Sequence, residues 1–176
     1  YFLKKTINSK IYNFIVFQLA KKKFLRSINA KKIILSKSNK LDEINKYEYK
    51  ITSQNNEDGI INYLKANINN PDNIFFEIGF DFNEFNSLNL IKEDWSGTLI
   101  DGDQIKCDKL KVCIKKYFKS QKVNIYNHFI TYENINEIIA NSISKKNFDF
   151  FSLDTDGMDY WILEKLNYNP KIICVE

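Results

Sequence analysis

Five short apolar runs, set between stretches of helical spacing, constrain this chain more than any other feature. They read "NIFFEIGF" (73–80), "GTLIDG" (97–102), "KVNIYNHFI" (122–130), "FDFFSLD" (148–154) and "KIICVE" (171–176). Runs that stay apolar, instead of alternating in and out, belong to strands covered on both faces, as in parallel sheets. Before the first run, "SQNNEDGIINYLKANI" carries Ile60, Ile61, Leu64 and Ile68 at helical spacing. A short helix is expected over 86–94, and further helices over "DQIKCDKLKVCIKKYFKS", "TYENINEIIANSI" and "GMDYWILEKL". Asp103 is placed to cap the first of these three, and Thr131 opens the second. Strands alternating with helices through right-handed crossovers predict a doubly wound α/β fold, a parallel sheet with helices on both faces. At 176 residues, one domain with a true core is expected.

In such sheets ligands bind beyond the carboxyl ends of the strands, near the point where strand order reverses. That rule selects Glu77 and Gly79, then Asp101, Gly102 and Asp103, then Asn127 and His128, then Asp154, Asp156 and Gly157. All are expected to line one crevice. Gly79 lets the backbone turn sharply and a ligand come close. Asp101 follows it by 22 residues, near the roughly 20-residue offset at which nucleotide-binding folds set an acid on a ribose. A carboxylate suits that place because it accepts two hydrogen bonds from a vicinal diol. No second glycine follows in "FDFNEFNS", so a pyrophosphate lacks its cradle and NAD or FAD is disfavoured. S-adenosylmethionine (SAM), with a ribose and no phosphate, fits better. The plain alternative is that Asp101 merely turns the chain.

The stretch "LDTDGMDYW" crowds Asp154, Asp156 and Asp159 into six residues. One account gives Asp154 to the crevice, Asp156 to capping the next helix, and Asp159 to that helix's dipole. The other reads Asp154-Thr155-Asp156 as a D-x-D holding a divalent cation, since hard cations take oxygen ligands. His128 either hydrogen-bonds a ligand or simply faces solvent. Trp95 and Trp161 are expected in the core.

The net charge of +4 hides an asymmetry. Residues 1–41 hold 11 Lys or Arg and no acid, while the remainder holds 15 basic against 22 acidic residues. The basic segment (1–50, a helix and a polar linker over 36–50) is expected to stand apart from the α/β domain (51–176). Its stretch "IYNFIVFQLAKKKFLRSI" either packs its Phe14, Phe17 and Leu25 side on the domain or lies on an anionic membrane surface. Lys21-Lys22-Lys23 invites phosphate contact, yet the acidic remainder lacks basic–aromatic interleaving, so nucleic acid is not the expected partner. Three cysteines at unrelated spacings form no disulfide framework and point to a reducing, cytoplasmic compartment. A single histidine argues against a Ser-His-Asp triad.

Several blocks resemble a known family. "SQNNEDGI", "FFEIGFDFNEFNS", "WSGTLIDGD", "ITYENINEII" and "FSLDTDGMDYWILEKL…PKIICVE" resemble, in order, blocks of the FkbM-like class I methyltransferases, over residues 53–176. The resemblance implies a Rossmann-like methyltransferase fold, SAM as cofactor, and O-methylation of a hydroxyl on a glycan or small metabolite. It places Glu77 and Gly79 in the SAM loop, Asp101 on the ribose, and Asp154 beside the methyl transfer. From their place at a strand end, Asp154 or Asp156 is expected as the base or as the carboxylate gripping substrate hydroxyls, directly or through a divalent metal. Asn56 stands where the family has glycine. Because the chain begins with Tyr and stops at the fifth strand, a piece of a longer protein is expected, with the last two strands of the full fold missing. Two rival readings are a metal-dependent nucleotide-sugar glycosyltransferase using the D-x-D, and a non-catalytic scaffold of the same fold.

Overall fold

A computed structural model describes residues 9–30, 44–119, 122–143 and 147–176. Its elements follow the order α1 (Ser9–Ile28), α2 (Glu57–Ala66), β1 (Ile74–Ile78), α3 (Ser87–Lys92), β2 (Ser96–Asp101), α4 (Gln104–Tyr117), β3 (Val123–Asn127), α5 (Ile135–Ser142), β4 (Phe150–Leu153), α6 (Asp159–Lys165) and β5 (Ile172–Val175). The strands form one all-parallel sheet in the order β3-β2-β1-β4-β5. The chain works outward from β1 to β3, then returns to lay β4 on β1's other side. The reversal of strand order therefore falls between β1 and β4.

Period-two side-chain alternation divides the core into two layers. Phe75, Leu99, Ile125, Phe150 and Ile172 point to one face, where α1, α3 and α4 cover them with Phe24, Leu88, Ile91, Leu110 and Cys113. Phe76, Ile78, Ile100, Phe151 and Leu153 point to the other, beneath Ile135 and Ile139 of α5 and Ile162 of α6. Phe75, Phe76, Phe150 and Phe151 are fully buried. An aromatic pair on each central strand thus feeds both layers at once.

Side chains set where two of the helices begin. Asp103 caps α4 as expected, accepting from Ile105 N at 2.8 Å and Lys106 N at 3.1 Å. The helix expected from Ser53 starts only at Glu57, because buried Asp58 gathers the preceding loop. Its carboxylate accepts from the N–H groups of Ile51, Thr52 and Ser53 and from the Thr52 and Ser53 hydroxyls. Amides committed to Asp58 are lost to a helix. Residues 44–50, expected as linker, pack on α2 through a Tyr47–Tyr63 ring stack at 3.7 Å. Residues 36–43 lie outside the described residues.

The basic segment docks on the sheet through Phe24, a residue left out of the expected Phe14, Phe17 and Leu25 set, of which Phe17 and Leu25 are half-buried. Phe24 is fully buried, against Phe82, Tyr117 and Phe118, whereas Phe14 is 63% exposed. Phe24 was hidden by the lysine run before it. Trp95 is buried as expected, but Trp161 is 53% exposed. Ile162, its neighbour, takes the inward position on α6 instead. Among the described residues, no helix is long and apolar enough to cross a membrane.

Candidate functional site

The carboxyl ends of β1, β4 and β5 surround a hollow of about 240 Å³. It sits at the reversal between β1 and β4, where doubly wound sheets bind ligands. Six carboxylates line it: Glu57, Glu77, Asp81, Glu84, Asp154 and Glu176, with no lysine or arginine in the lining. Lys50 approaches from outside and pairs with Glu84 at 3.4 Å. Such a lining attracts cations and repels phosphates.

The floor is a polar row crossing three strands. Register sets Glu77 beside Ser152, and Ser152 beside Cys174. Asn86 ties the row together, its Nδ2 donating to Ser152 Oγ at 3.0 Å and to Cys174 Sγ at 3.3 Å. Glu77 holds the start of α3 from below, accepting from Asn86 N at 3.0 Å, from Ser87 N at 2.8 Å and from the Ser87 hydroxyl. Burial pushes the Glu77 carboxyl up to about 7, the bonds from Ser87 and Asn86 opposing and the Asp154 charge adding to it. Burial likewise pushes the Cys174 thiol up to about 12, with the surrounding carboxylates adding to it, so this thiol is a weak nucleophile. Glu176 is raised above its ordinary value by a hydrogen bond with Asp154 and by that carboxylate's charge.

Gly79 follows directly, and its glycine identity has an internal cause. Its φ is +72°, and a Cβ there would collide with the backbone carbonyl of Asp154. The close approach expected of a ligand is made by the chain itself.

Asp101 departs from the shared crevice. It does not line the hollow; Phe80 stands between, donating its N–H to Asp101 Oδ2 at 3.3 Å. Asp103 N donates to Oδ1 at 2.7 Å, and the Lys106 ammonium pairs with Oδ2 at 2.6 Å while also reaching Phe80 O at 2.8 Å. The carboxylate expected to meet a diol is occupied by a lysine one helical turn into α4. Nothing in the spacing of Asp101 signalled that, although Lys106 lies five residues on, within reach from a helix start.

Gly102 and His128 are exposed beside Asp101, at the ends of β2 and β3. His128 N donates to Asp101 O at 3.2 Å. They form a second group, separate from the acid-lined hollow. Asp156 is exposed, outside the lining, with φ +53°. It does not cap α6. Asp159 does the local work instead, accepting from Thr155 N at 2.8 Å, Thr155 Oγ1 at 3.0 Å and Gly157 N at 3.1 Å. Of the D-x-D acids, Asp154 alone reaches the hollow. Among the described residues, no three His, Cys, Asp or Glu side chains converge as a metal site would require.

The expectation missed Glu57, Asp81, Glu84 and Glu176. Glu57 and Glu84 sit in loops or helix starts whose proximity depends on tertiary folding. Comparison with protein-family models, curated proteins and solved structures finds no match for this chain.

Proposed function

We propose that this α/β domain binds SAM and methylates a hydroxyl of a glycan or small metabolite, as the FkbM-like resemblance implies. The observation that carries the reading is the hollow at the β1–β4 reversal, lined by six carboxylates and no basic residue. Its donor set fits the positively charged half of SAM. A hollow of about 240 Å³ lies below the roughly 300–1,000 Å³ that enclose drug-sized ligands, so it suits an amino-acid-sized portion. When bound, SAM supplies a methyl group on a cationic sulfur. Glu57 offsets positive charge from the wall, and Glu77 adds its charge from the floor as pH rises past about 7. Asp154, half-buried at the end of β4, receives the proton of the acceptor hydroxyl. Asp101, which the resemblance sets on the ribose, lies beyond Phe80 and is paired with Lys106, so a ribose reaches it only by displacing that lysine.

The glycosyltransferase reading is less well supported, because Asp156 lies outside the lining and Asp154 alone of the D-x-D acids reaches the hollow. Isothermal titration decides. Saturable heat with SAM supports the proposal. Manganese-dependent binding of a UDP-sugar without SAM binding would replace it by the glycosyltransferase, and a cooperatively melting chain that binds neither would be a scaffold.

A further inference from the structure

The outer side of α1 carries a stripe that the hollow does not explain. Ile15, Leu19, Lys22, Lys23 and Arg26 recur three and four apart and so share one face of the helix. The first half is apolar and open to water: Ile15 is 43% exposed and Leu19 59%. The second half is basic, with Lys22, Lys23 and Arg26 exposed and unpaired with any carboxylate among the described residues. Beside it, Ile105 at the start of α4 is 65% exposed. It lines the same hollow as Leu19, Lys23 and Lys109. Phe24 anchors the opposite side of α1 in the core. A helix already docked by one side has no packing reason to show Ile15 and Leu19 on the other.

We propose that this stripe docks the protein on an anionic lipid bilayer. Ile15, Leu19 and Ile105 enter the boundary between headgroups and acyl chains, while Lys22, Lys23, Arg26 and Lys109 meet lipid phosphates. Charge selects this occupant. Residues 1–41 hold 11 basic residues and no acid, so a second copy seated face to face would oppose like charges. Asp81 and Asp103 line the adjoining hollow, which keeps phosphate contact on the helix stripe instead of inside that hollow. With no described helix able to span a bilayer, α1 lies along the interface. Asp81 also lines the acid-lined hollow, so a docked chain holds that hollow beside the lipid. The proposal does not depend on SAM binding.

Flotation of the full 176-residue chain with vesicles tests it. Vesicles of phosphatidylcholine and phosphatidylglycerol carry the protein upward at low salt and release it at high salt, while phosphatidylcholine alone carries little. Two double variants, Ile15→Glu with Leu19→Glu and Lys22→Glu with Lys23→Glu, each reduce partitioning by about tenfold with an unchanged thermal melt. The proposal is overturned by absence of flotation with anionic vesicles, by equal flotation with neutral ones, or by variants that float like the wild type. It is also overturned if gel filtration finds a dimer that Ile15→Glu with Leu19→Glu dissolves, which would make a second copy the occupant.

Discussion

Gly79 and Asp154 meet backbone to backbone where β1 and β4 end. Asp154 N donates to Ile78 O at 2.9 Å, and the Asp154 carbonyl fills the space a side chain on Gly79 would need. With φ at +72° as well, Gly79→Ala is expected to cost about 2–4 kcal/mol. The control is Gly102→Ala, where an added Cβ meets only Phe129 Cδ2 at 3.5 Å; it should stay within about 0.5 kcal/mol. Urea unfolding of both variants measures the difference, and equal losses would show that the Asp154 contact does not fix this glycine.

Lys106 and Asp101 hold each other at 2.6 Å, the lysine side chain 28% exposed and the aspartate 9%. Lys106→Met frees the carboxylate for a diol. SAM binding should tighten by about fivefold, in line with the ~1 kcal/mol of a partly exposed pair. Calorimetry reads the change. Weaker binding in the variant would mean that Lys106 contacts the ligand instead of competing with it.

Glu77 links stability to pH. Its folded value, about 7, lies above the ordinary 4.5, so the folded state holds the proton more tightly than the unfolded chain. The resulting stability is complete below 4.5 and declines as pH rises toward 7. The full decline is at most about 3 kcal/mol. Urea midpoints from pH 4.5 to 8 should fall in the wild type and flatten over that window in Glu77→Gln. An unchanged slope in the variant would assign the pH dependence elsewhere.

Asp154→Asn removes the proposed proton acceptor at the end of β4 while keeping its shape. Methyl transfer should fall by about 10²–10⁴-fold, with SAM affinity little changed. Asp156→Asn, outside the lining, is the comparison and should remain near the wild-type rate. A comparable loss in both would move the chemistry out of the hollow.

β1 and β4 were legible because a strand covered on both faces is apolar over most of its length, and few other segments are. "IFFEI", "FFSL" and "IICV" also each held one polar or thiol residue near the carboxyl end. Aligned by register, those residues become the floor of the hollow; the signal lay in the sequence, but reading it required knowing which strands are neighbours. Asp101 shows the limit more sharply. Its spacing from Gly79 matched a ribose acid, while its actual partner, Lys106, is chosen by the angle at which α4 leaves β2. Phe24 and Trp161 exchanged expectations for a related reason. Which side of an all-round mixed helix turns inward is settled by the surface it meets, here Phe82, Tyr117 and Phe118 for Phe24.

The row Glu77–Ser152–Cys174 interrupts three strands, β1, β4 and β5, otherwise made of phenylalanine, leucine, isoleucine and valine. A protein selected for endurance alone would set aliphatic side chains there and gain cohesion between its two central strands and the edge. Keeping an acid, a hydroxyl and a thiol at that depth leaves the carboxyl end as the weakest seam of the sheet. Heat or denaturant should therefore loosen the molecule first at the end where its ligand would enter, and a bound ligand should fasten that seam.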